Sequence, residues 1–179
     1  MTEPLLRVLL TADQIQARIR ELGAQIDADY PGGTLYLIGI LKGACFFLSD
    51  LARVMARPVR IDFIGISSYG QNKTTSGEVK LAKDLDTSIE DADVLLVEDI
   101  VDSGVTLTYL LHVLEQRRPR SLRVVALLDK PSRRLRPVKV AYVGFQIPDE
   151  FVVGYGLDYA ENFRNLRDIC ILGEQPSKE

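Results

Sequence analysis

The sequence predicts an α/β fold in which helices cover both faces of a doubly wound, mainly parallel sheet. Apolar runs long enough for buried strands alternate along the chain with segments of helical periodicity. Strands that are apolar along nearly their whole length are typical of parallel sheets with both faces covered. In such sheets ligands bind at the carboxyl ends of the strands, and several acidic and small polar residues of this chain follow directly after apolar runs.

The elements can be assigned in chain order. Residues 11–14 read as a capping box, and the spacing of Ile15, Ile19, Leu22 and Ile26 then makes one face of a helix. A second helix is marked by the apolar positions between residues 47 and 55. The predicted strands are residues 34–41, 59–66, 94–101, 122–128 and 138–145.

The most informative stretch is residues 94–111, where an apolar strand ends in acids and an amphipathic helix begins. Glu98 and Asp99 are adjacent, Asp102 follows, and residues 103–106 (Ser-Gly-Val-Thr) open the helix. Free N–H groups at a helix N-terminus suit a phosphate, and carboxylates suit sugar hydroxyls or Mg²⁺. A single acid here would also fit a doubly wound protein without such a ligand, but three so close together repel one another unless a ligand uses them. The stretch therefore indicates a sugar phosphate site.

Two segments do not fit a plain layered fold. Residues 67–80 are polar and long for a loop in a compact domain, which is typical of a functional or disordered segment. Residues 147–172 are rich in Phe, Tyr, Asp and Arg, and we expect a flap over the strand ends. We therefore predict one domain over residues 1–179, with a core at about 30–145 and a flap or hood at about 146–172.

Composition narrows the class of protein. The chain has 179 residues, of which 46% are hydrophobic, so it can bury a substantial core. Its net charge of −3 argues against a general nucleic-acid or anionic-membrane partner. It shows neither an apolar run that could cross a bilayer nor a signal-peptide pattern, so we expect a cytoplasmic protein.

The sequence gives no functional role to the cysteines, the histidine or the arginine groups, and each has a structural interpretation. Cys45 and Cys170 lack metal-ligand spacing and are expected to be buried free thiols. His112 lies off the apolar stripe of its helix and is expected at the surface. The arginines in residues 117–120 and 133–136 are interpreted as solvated faces or subunit contacts.

Four motifs resemble a known family. Residues 98–106 resemble the phosphoribosyl-diphosphate (PRPP) motif of type I phosphoribosyltransferases, in the version found in the 6-oxopurine (hypoxanthine-guanine) branch. Residues 41–43 (Leu-Lys-Gly) resemble its pyrophosphate loop, residues 68–69 (Ser-Tyr) its mobile lid, and residues 148–159 its base-binding and flap sequence. The resemblance covers about residues 5–172, and Ala44 stands where the family often has Gly or Ser.

The resemblance implies roles on the PRPP side of the site. Asp102 would take the N7 proton of the purine, and Glu98 and Asp99 would hold the ribose hydroxyls. The 5′-phosphate would be bound by Ser103, Gly104, Val105 and Thr106. The leaving pyrophosphate would be held by Lys42 and Gly43, next to a cis peptide bond between Leu41 and Lys42, and covered by Ser68 and Tyr69.

On the base side, the resemblance makes Lys130 the donor to the purine 6-oxo group. Because an ammonium donates but cannot accept, adenine should be rejected. Phe151 would stack on the ring and the backbone of Val152 would bind the edge near C2. Asp158 would bind Mg²⁺ and Arg164 the pyrophosphate. Glu98, Asp99 and Asp158 are thus the candidate Mg²⁺ ligands, the first two directly or through ribose hydroxyls and water.

The implied activity is purine salvage, in which hypoxanthine or guanine and PRPP give IMP or GMP and pyrophosphate. Mg²⁺ is implied, as is a homodimer or homotetramer, with no nucleic-acid or membrane partner. One alternative is a nucleotide-sensing regulator on the same fold that binds RNA, as the pyrimidine attenuation proteins do. These carry an Asp-Asp pair where this chain has Glu98 and Asp99. Another is a phosphoribosyltransferase that uses xanthine or adenine.

Overall fold

The computed structural model describes residues 6–30, 32–68 and 79–173, with only the backbone of residues 67, 68, 79 and 80. The lid predicted to begin at Ser68 and Tyr69 therefore lies almost entirely outside the described residues, and so does Tyr69 itself. The elements are β1 (Leu6–Leu10), α1 (Ala12–Asp29), β2 (Leu35–Leu41), α2 (Cys45–Val54), β3 (Val59–Ser68), β4 (Val79–Lys83), β5 (Asp93–Val101), α3 (Val105–Glu115), β6 (Ser121–Asp129), a 3-10 turn (Pro131–Arg133), β7 (Tyr142–Gln146), β8 (Val152–Val153) and β9 (Ile169–Leu172).

The central sheet confirms the predicted fold class. Its described strands run in the order β4-β3-β2-β5-β6-β7, all parallel except β4, which pairs antiparallel with β3 at the edge. Side chains of α1 and α2 pack in the hydrophobic cluster on one face, and side chains of α3 pack in the cluster on the other. Strands β2, β5 and β6 are central and nearly continuously buried, as their apolar sequences require.

Helix α1 begins as its sequence indicates. The Thr11 hydroxyl accepts from the Gln14 N–H at 3.3 Å, and the Gln14 side-chain oxygen accepts from the Thr11 N–H at 2.9 Å. This reciprocal pair is the predicted capping box. The predicted apolar stripe is the buried face of the helix, since Ile15, Ile19 and Leu22 have no exposed surface.

Strand β7 begins later than its sequence pattern indicates. The pattern places its start at Val138, whereas pairing with β6 begins at Tyr142, opposite Val125. Val138 and Val140 still pack against the hydrophobic cluster on the α3 face, although they lie outside the strand. Their apolar character correctly indicates that these side chains are packed against the core. A packed side chain does not have to belong to a hydrogen-bonded strand, so the pattern placed the start of β7 too early.

A second, three-stranded sheet forms a hood from both ends of the chain. Its order is β1-β9-β8, with both pairings antiparallel, and Leu6 lies opposite Leu172. The Ala12 N–H donates to Asp168 Oδ1 at 2.7 Å, which ties the start of α1 to the segment before β9. We call β1 together with residues 147–172 the hood. Its C-terminal part is the segment predicted as a flap, and β1 joins that segment from the other end of the chain.

The cysteine prediction holds for one thiol only. Cys170 is buried in β9, but Cys45 is exposed at the first position of α2, contrary to its apolar sequence surroundings. The helix turns Phe47, Leu48 and Leu51 toward the sheet and so leaves Cys45 outside. Within the described residues, no helix is both long and apolar enough to cross a membrane.

Candidate active site

Two adjoining cavities open at the carboxyl ends of the parallel strands. The first, of about 290 Å³, lies between the β2–α2 turn and the β5–α3 loop. The second, of about 550 Å³, lies between the residues that follow β6 and the hood. Asp99, Asp102 and Asp158 line both cavities. These carboxylates therefore mark the place where two different ligands would meet.

The turn after β2 forms one wall of the first cavity. The Leu41–Lys42 peptide bond is cis, as the sequence resemblance implied. Gly43 follows, and a Cβ at this position would overlap the Asp99 carboxylate. Glycine is required here because the turn approaches the acids at the end of β5 more closely than any side chain permits.

Glu98 and Asp99 are half-buried acids whose pKa values are perturbed. Burial, reinforced by the charge of Asp99, raises the pKa of Glu98 well above its ordinary value. Burial raises the pKa of Asp99 to about 6, against the opposing effects of the Ile100 N–H at 2.8 Å and the Arg164 charge. Glu98 Oε2 is buried without a hydrogen-bond partner among the described residues. Such an oxygen suits a ligand hydroxyl or a hydrated cation.

The carboxylates would bind Mg²⁺ only together with further ligands from a substrate. Asp99 and Asp158 line the same cavity, but the described residues contain no group of three or more side chains placed to hold a metal ion. Mg²⁺ commonly binds through one or two carboxylates together with substrate phosphates. The donor set therefore suits an ion that arrives with a polyphosphate.

The start of α3 forms the opposite wall. Ser103, Gly104 and Thr106 line the cavity, and Gly104, at φ 79°, precedes the first helical residue. Gly104 offers no side chain to cap the helix, so N–H groups of the first turn remain available to an anion. The N–H groups of Leu135 and Arg136 donate to the Ser103 carbonyl at 2.9 and 3.0 Å and hold the loop in place.

The hood contributes an arginine to the first cavity. Arg164 pairs with Asp158 at 2.7 Å and donates to the Gly156 carbonyl at 2.7 Å. Its Nε is buried without a partner among the described residues. Glu161 lies 3.5 Å from Arg164 and pairs with Lys42 at 2.7 Å across the mouth of the cavity. The cations predicted to bind pyrophosphate are thus gathered around one space.

The second cavity has an apolar wall and a buried cation. Lys130, only 6% exposed, lies directly after β6 and donates from Nζ to the Glu150 carbonyl at 2.5 Å. Phe151 is exposed and packs edge-on against Tyr159, with ring centroids 5.7 Å apart. Val152 is buried in β8, where it pairs with Ile171 of β9. An aromatic face beside a fixed donor suits a flat heterocycle with a carbonyl group.

Most of the predicted site residues come together at these cavities. Those lining the first are Lys42, Gly43, Glu98, Asp99, Asp102, Ser103, Gly104, Thr106, Asp158 and Arg164. Lys130, Phe151 and Val152 line the second, with Asp99, Asp102 and Asp158. Val105 begins α3 and its side chain is exposed. Ser68 ends β3 and is described by its backbone alone.

The interpretation of residues 133–136 as a solvated face or subunit contact was wrong for Arg134, whereas Arg133 is exposed to solvent and also contacts the site. Arg133 lines the second cavity, 3.2 Å from Asp102 and 3.2 Å from Asp149. Arg134 is largely buried in an ion pair with Asp129. The available signal was their position shortly after Lys130, beyond the strand end that carries the site. In contrast, His112 is exposed on α3, as predicted.

Comparison with known proteins places this geometry in a family. Residues 9–160 match the phosphoribosyl transferase domain. The hypoxanthine-guanine phosphoribosyltransferase of Bacillus subtilis is 48% identical over 166 residues, which cover 93% of this chain and 92% of that protein. The chain belongs to the hypoxanthine-guanine phosphoribosyltransferase family.

Other members of the family are also similar to this chain. The hypoxanthine-guanine phosphoribosyltransferase of Mycobacterium avium is 54% identical over 171 residues, covering 92% of this chain and 84% of that protein. The crystal structure of the family member from Bacillus anthracis matches with a TM-score of 0.90 at 45% identity, covering 96% of this chain and all of the other. These similarities confirm the family and the fold that the sequence motifs indicate.

Proposed function

We propose that this protein transfers the 5-phosphoribosyl group of PRPP to N9 of hypoxanthine or guanine, giving IMP or GMP and pyrophosphate in the presence of Mg²⁺. The observation that carries the proposal is the junction of the two cavities at Asp99, Asp102 and Asp158. One cavity has the donors for a phosphorylated sugar, and the other has the aromatic face and the cation for a 6-oxopurine. The new C1–N9 bond would form where they meet.

PRPP occupies the first cavity. The 5′-phosphate binds at residues 103–106, where the first turn of α3 supplies N–H groups. Glu98 and Asp99 accept from the ribose hydroxyls. Lys42, the backbone at Gly43, and Arg164 bind the diphosphate. Asp158, with Glu98 and Asp99 directly or through ribose hydroxyls and water, would hold Mg²⁺, which would supply neutralisation of the charge on the leaving group.

The purine occupies the second cavity. Lys130 donates to the 6-oxo group, Phe151 stacks on the ring, and the backbone at Val152 binds the edge near C2. Asp102 lies between the cavities and takes the N7 proton as N9 attacks. The C1–O bond breaks ahead of that attack, so the ribosyl group passes through an oxocarbenium-like state, which the Asp102 carboxylate helps to stabilise. The hood over the site limits the access of water to this state.

The ion pairs of the surface arginines argue against the RNA-binding alternative. Arg117 pairs with Asp84 at 2.7 Å, Arg118 with Glu90 at 2.6 Å, and Arg120 with Asp93. The basic group at residues 117–120 is therefore neutralised by acids of the same molecule. RNA binding depends on cations available to phosphates.

The proposal is tested by a PRPP- and Mg²⁺-dependent assay with hypoxanthine, guanine, xanthine and adenine, each repeated with EDTA. We expect turnover of hypoxanthine and guanine that EDTA abolishes, and little or none of adenine. RNA retention at physiological salt is measured in parallel. Retention of RNA without turnover of any purine would favour the regulator, and turnover confined to xanthine or adenine would favour the other transferases.

A further inference from the structure

Arg133 links the β5–α3 loop to the hood across the second cavity. Its Nε is 3.2 Å from Asp102 Oδ1, and its Nη1 is 3.2 Å from Asp149 Oδ1. Asp102 and Asp149 line the same cavity as Arg133 but belong to separate segments of the chain. The guanidinium thus bridges Asp102 and Asp149 at the edge of the cavity that we assign to the purine.

The backbone around Arg133 fixes its position relative to Asp102. The Lys130 N–H donates to the Val101 carbonyl at 2.9 Å, and the Arg133 N–H donates to the Lys130 carbonyl at 3.2 Å. The chain after Arg133 is tied to the Ser103 carbonyl by two further N–H groups. The 3-10 turn that carries Arg133 is therefore attached on both sides to the loop that carries Asp102.

Among the described residues, Asp102 Oδ1 has no polar partner other than Arg133. This oxygen is buried and accepts no hydrogen bond from the described residues, so the ion pair with Arg133 is what orients it there. We infer that Arg133 is a positioning residue, which holds Asp102 Oδ1 so that Oδ2 is directed to the N7 proton of the purine. The inference rests on the proposed function, because it assumes that Asp102 is the base.

The physical basis is the sensitivity of proton transfer to geometry. A general base acts only within hydrogen-bonding distance of the proton that it removes. Without Arg133, the Asp102 side chain is free to change rotamer, and small displacements of reacting groups can cost about 10²-fold in rate. Asp149 holds the guanidinium from the hood, so the hood also contributes to the orientation of the base.

The test compares Arg133→Gln with Arg133→Lys, and uses Arg118→Gln as the matched control, since Arg118 forms an exposed ion pair with Glu90 on another surface. We expect Arg133→Gln to lower kcat for hypoxanthine by ~10- to 100-fold with the KM for PRPP little changed. Arg133→Lys should recover part of the loss, because an ammonium can still pair with Asp102. Arg118→Gln should have no effect.

The substrate 8-azahypoxanthine separates positioning from a merely structural role. Nitrogen in place of C8–H makes the imidazole proton more acidic, so its removal depends less on a general base. The loss caused by Arg133→Gln should therefore be at least ~3-fold smaller with this substrate. An equal loss with both substrates, a raised KM for PRPP alone, or unchanged turnover would each overturn the inference.

Asp102→Asn is assayed alongside to separate the two proposals. If Asp102→Asn keeps wild-type turnover, the assignment of the base is wrong and the role of Arg133 falls with it. If Asp102→Asn loses turnover but Arg133→Gln does not, the proposed function stands and only the inference about Arg133 is wrong. Thermal unfolding of each variant shows whether it is folded. If Arg133→Gln does not fold, Arg133→Lys serves as the test instead.

Discussion

At the scale of single residues, the acids at the end of β5 show the conflict between stability and function. Glu98 and Asp99 lie half-buried side by side, and the pKa values of both carboxyl groups are raised because desolvation disfavours their charged forms. Glu98 Oε2 also lacks a partner among the described residues. An acid pair of this kind destabilises a ligand-free fold, and its presence is explained by a ligand.

Asp99→Asn should stabilise the ligand-free protein at neutral pH while it lowers activity. The pKa of Asp99 is about 6 in the folded protein and ordinarily 3.8. Above pH 3.8 the unfolded chain ionises first, so the stability of the native protein falls as pH rises from about 4 through about 6. That pKa difference corresponds to roughly 3 kcal/mol. Urea unfolding in EDTA should show a gain in the free energy of unfolding at pH 7.5 that disappears near pH 4. A loss of stability at both pH values would contradict it.

Asp102→Asn should leave PRPP binding largely intact and lower turnover by ~10²–10⁴-fold, because an amide keeps the shape but cannot accept the N7 proton. Steady-state kinetics with both oxopurines, and calorimetric titration with PRPP and Mg²⁺, give the two quantities. Near-wild-type turnover on both bases would remove Asp102 from the mechanism.

Lys130→Gln should change selectivity as well as activity. Hypoxanthine and guanine lose a charge-assisted hydrogen bond worth about 1.5–3 kcal/mol. Adenine loses less, because a Gln amide can turn its oxygen toward a 6-amino group. The ratio of kcat/KM for hypoxanthine to that for adenine should therefore fall. If the ratio stays the same while both activities drop, the buried Lys130 serves the structure and does not read the base.

At the scale of elements, the site depends on how the hood meets the β2–α2 turn. Glu161 of the hood pairs with Lys42 of the turn at 2.7 Å and lies 3.5 Å from Arg164. The hydrogen bond and charge of Lys42 hold the pKa of the Glu161 carboxyl below its ordinary value, so this group is an anion at neutral pH. It therefore occupies the space between two cations that the proposed function assigns to pyrophosphate.

Glu161→Gln should tighten the binding of pyrophosphate by about 3- to 10-fold, because one negative charge next to the ligand is removed. Calorimetric titration with pyrophosphate and Mg²⁺ measures the change. Glu90→Gln is the matched control, since Glu90 forms an exposed ion pair with Arg118. Weaker binding in Glu161→Gln would instead mean that Glu161 holds the two cations in place for the ligand.

At the scale of the whole molecule, the hood and the main sheet share one hydrophobic core. Val152, Leu157, Ile169 and Ile171 of the hood belong to the same buried cluster as side chains of α1, α2 and β6. The antiparallel pairing of β1 with β9 joins the two ends of the chain within the hood. A shared core of this kind supports our proposal that residues 1–179 form one domain.

The protein should accordingly unfold in one cooperative transition. Urea unfolding followed by far-UV circular dichroism should coincide with unfolding followed by exchange of the amides of β9 and β5, because neither sheet can lose its packing alone. Loss of protection in β9 at lower urea than in β5 would show that the hood is a separate unit.

The sequence by itself determined the parallel sheet and the positions of its central strands and α1, and it supplied most of the candidate residues that line the two cavities. Long apolar runs predict these strands reliably, because a strand that is buried on both faces needs apolar residues along nearly its whole length. The acids at residues 98–102 were found because a strand end and a helix start bring them together through local chain geometry, and Gly43 was found because it follows another apolar strand directly. The family motifs added the candidate residues of the base side, including Lys130 and Phe151.

Only the tertiary structure decided the short strands, the arginine contacts and the exposure of Cys45. Strands β1, β4, β8 and β9 have 5, 5, 2 and 4 residues, so each is defined by its partner more than by its own pattern. Arg133 reaches Asp102 across 31 positions of sequence, and Glu161 reaches Lys42 across 119. Long charged side chains find their partners through the packing of distant segments, which local sequence patterns do not encode.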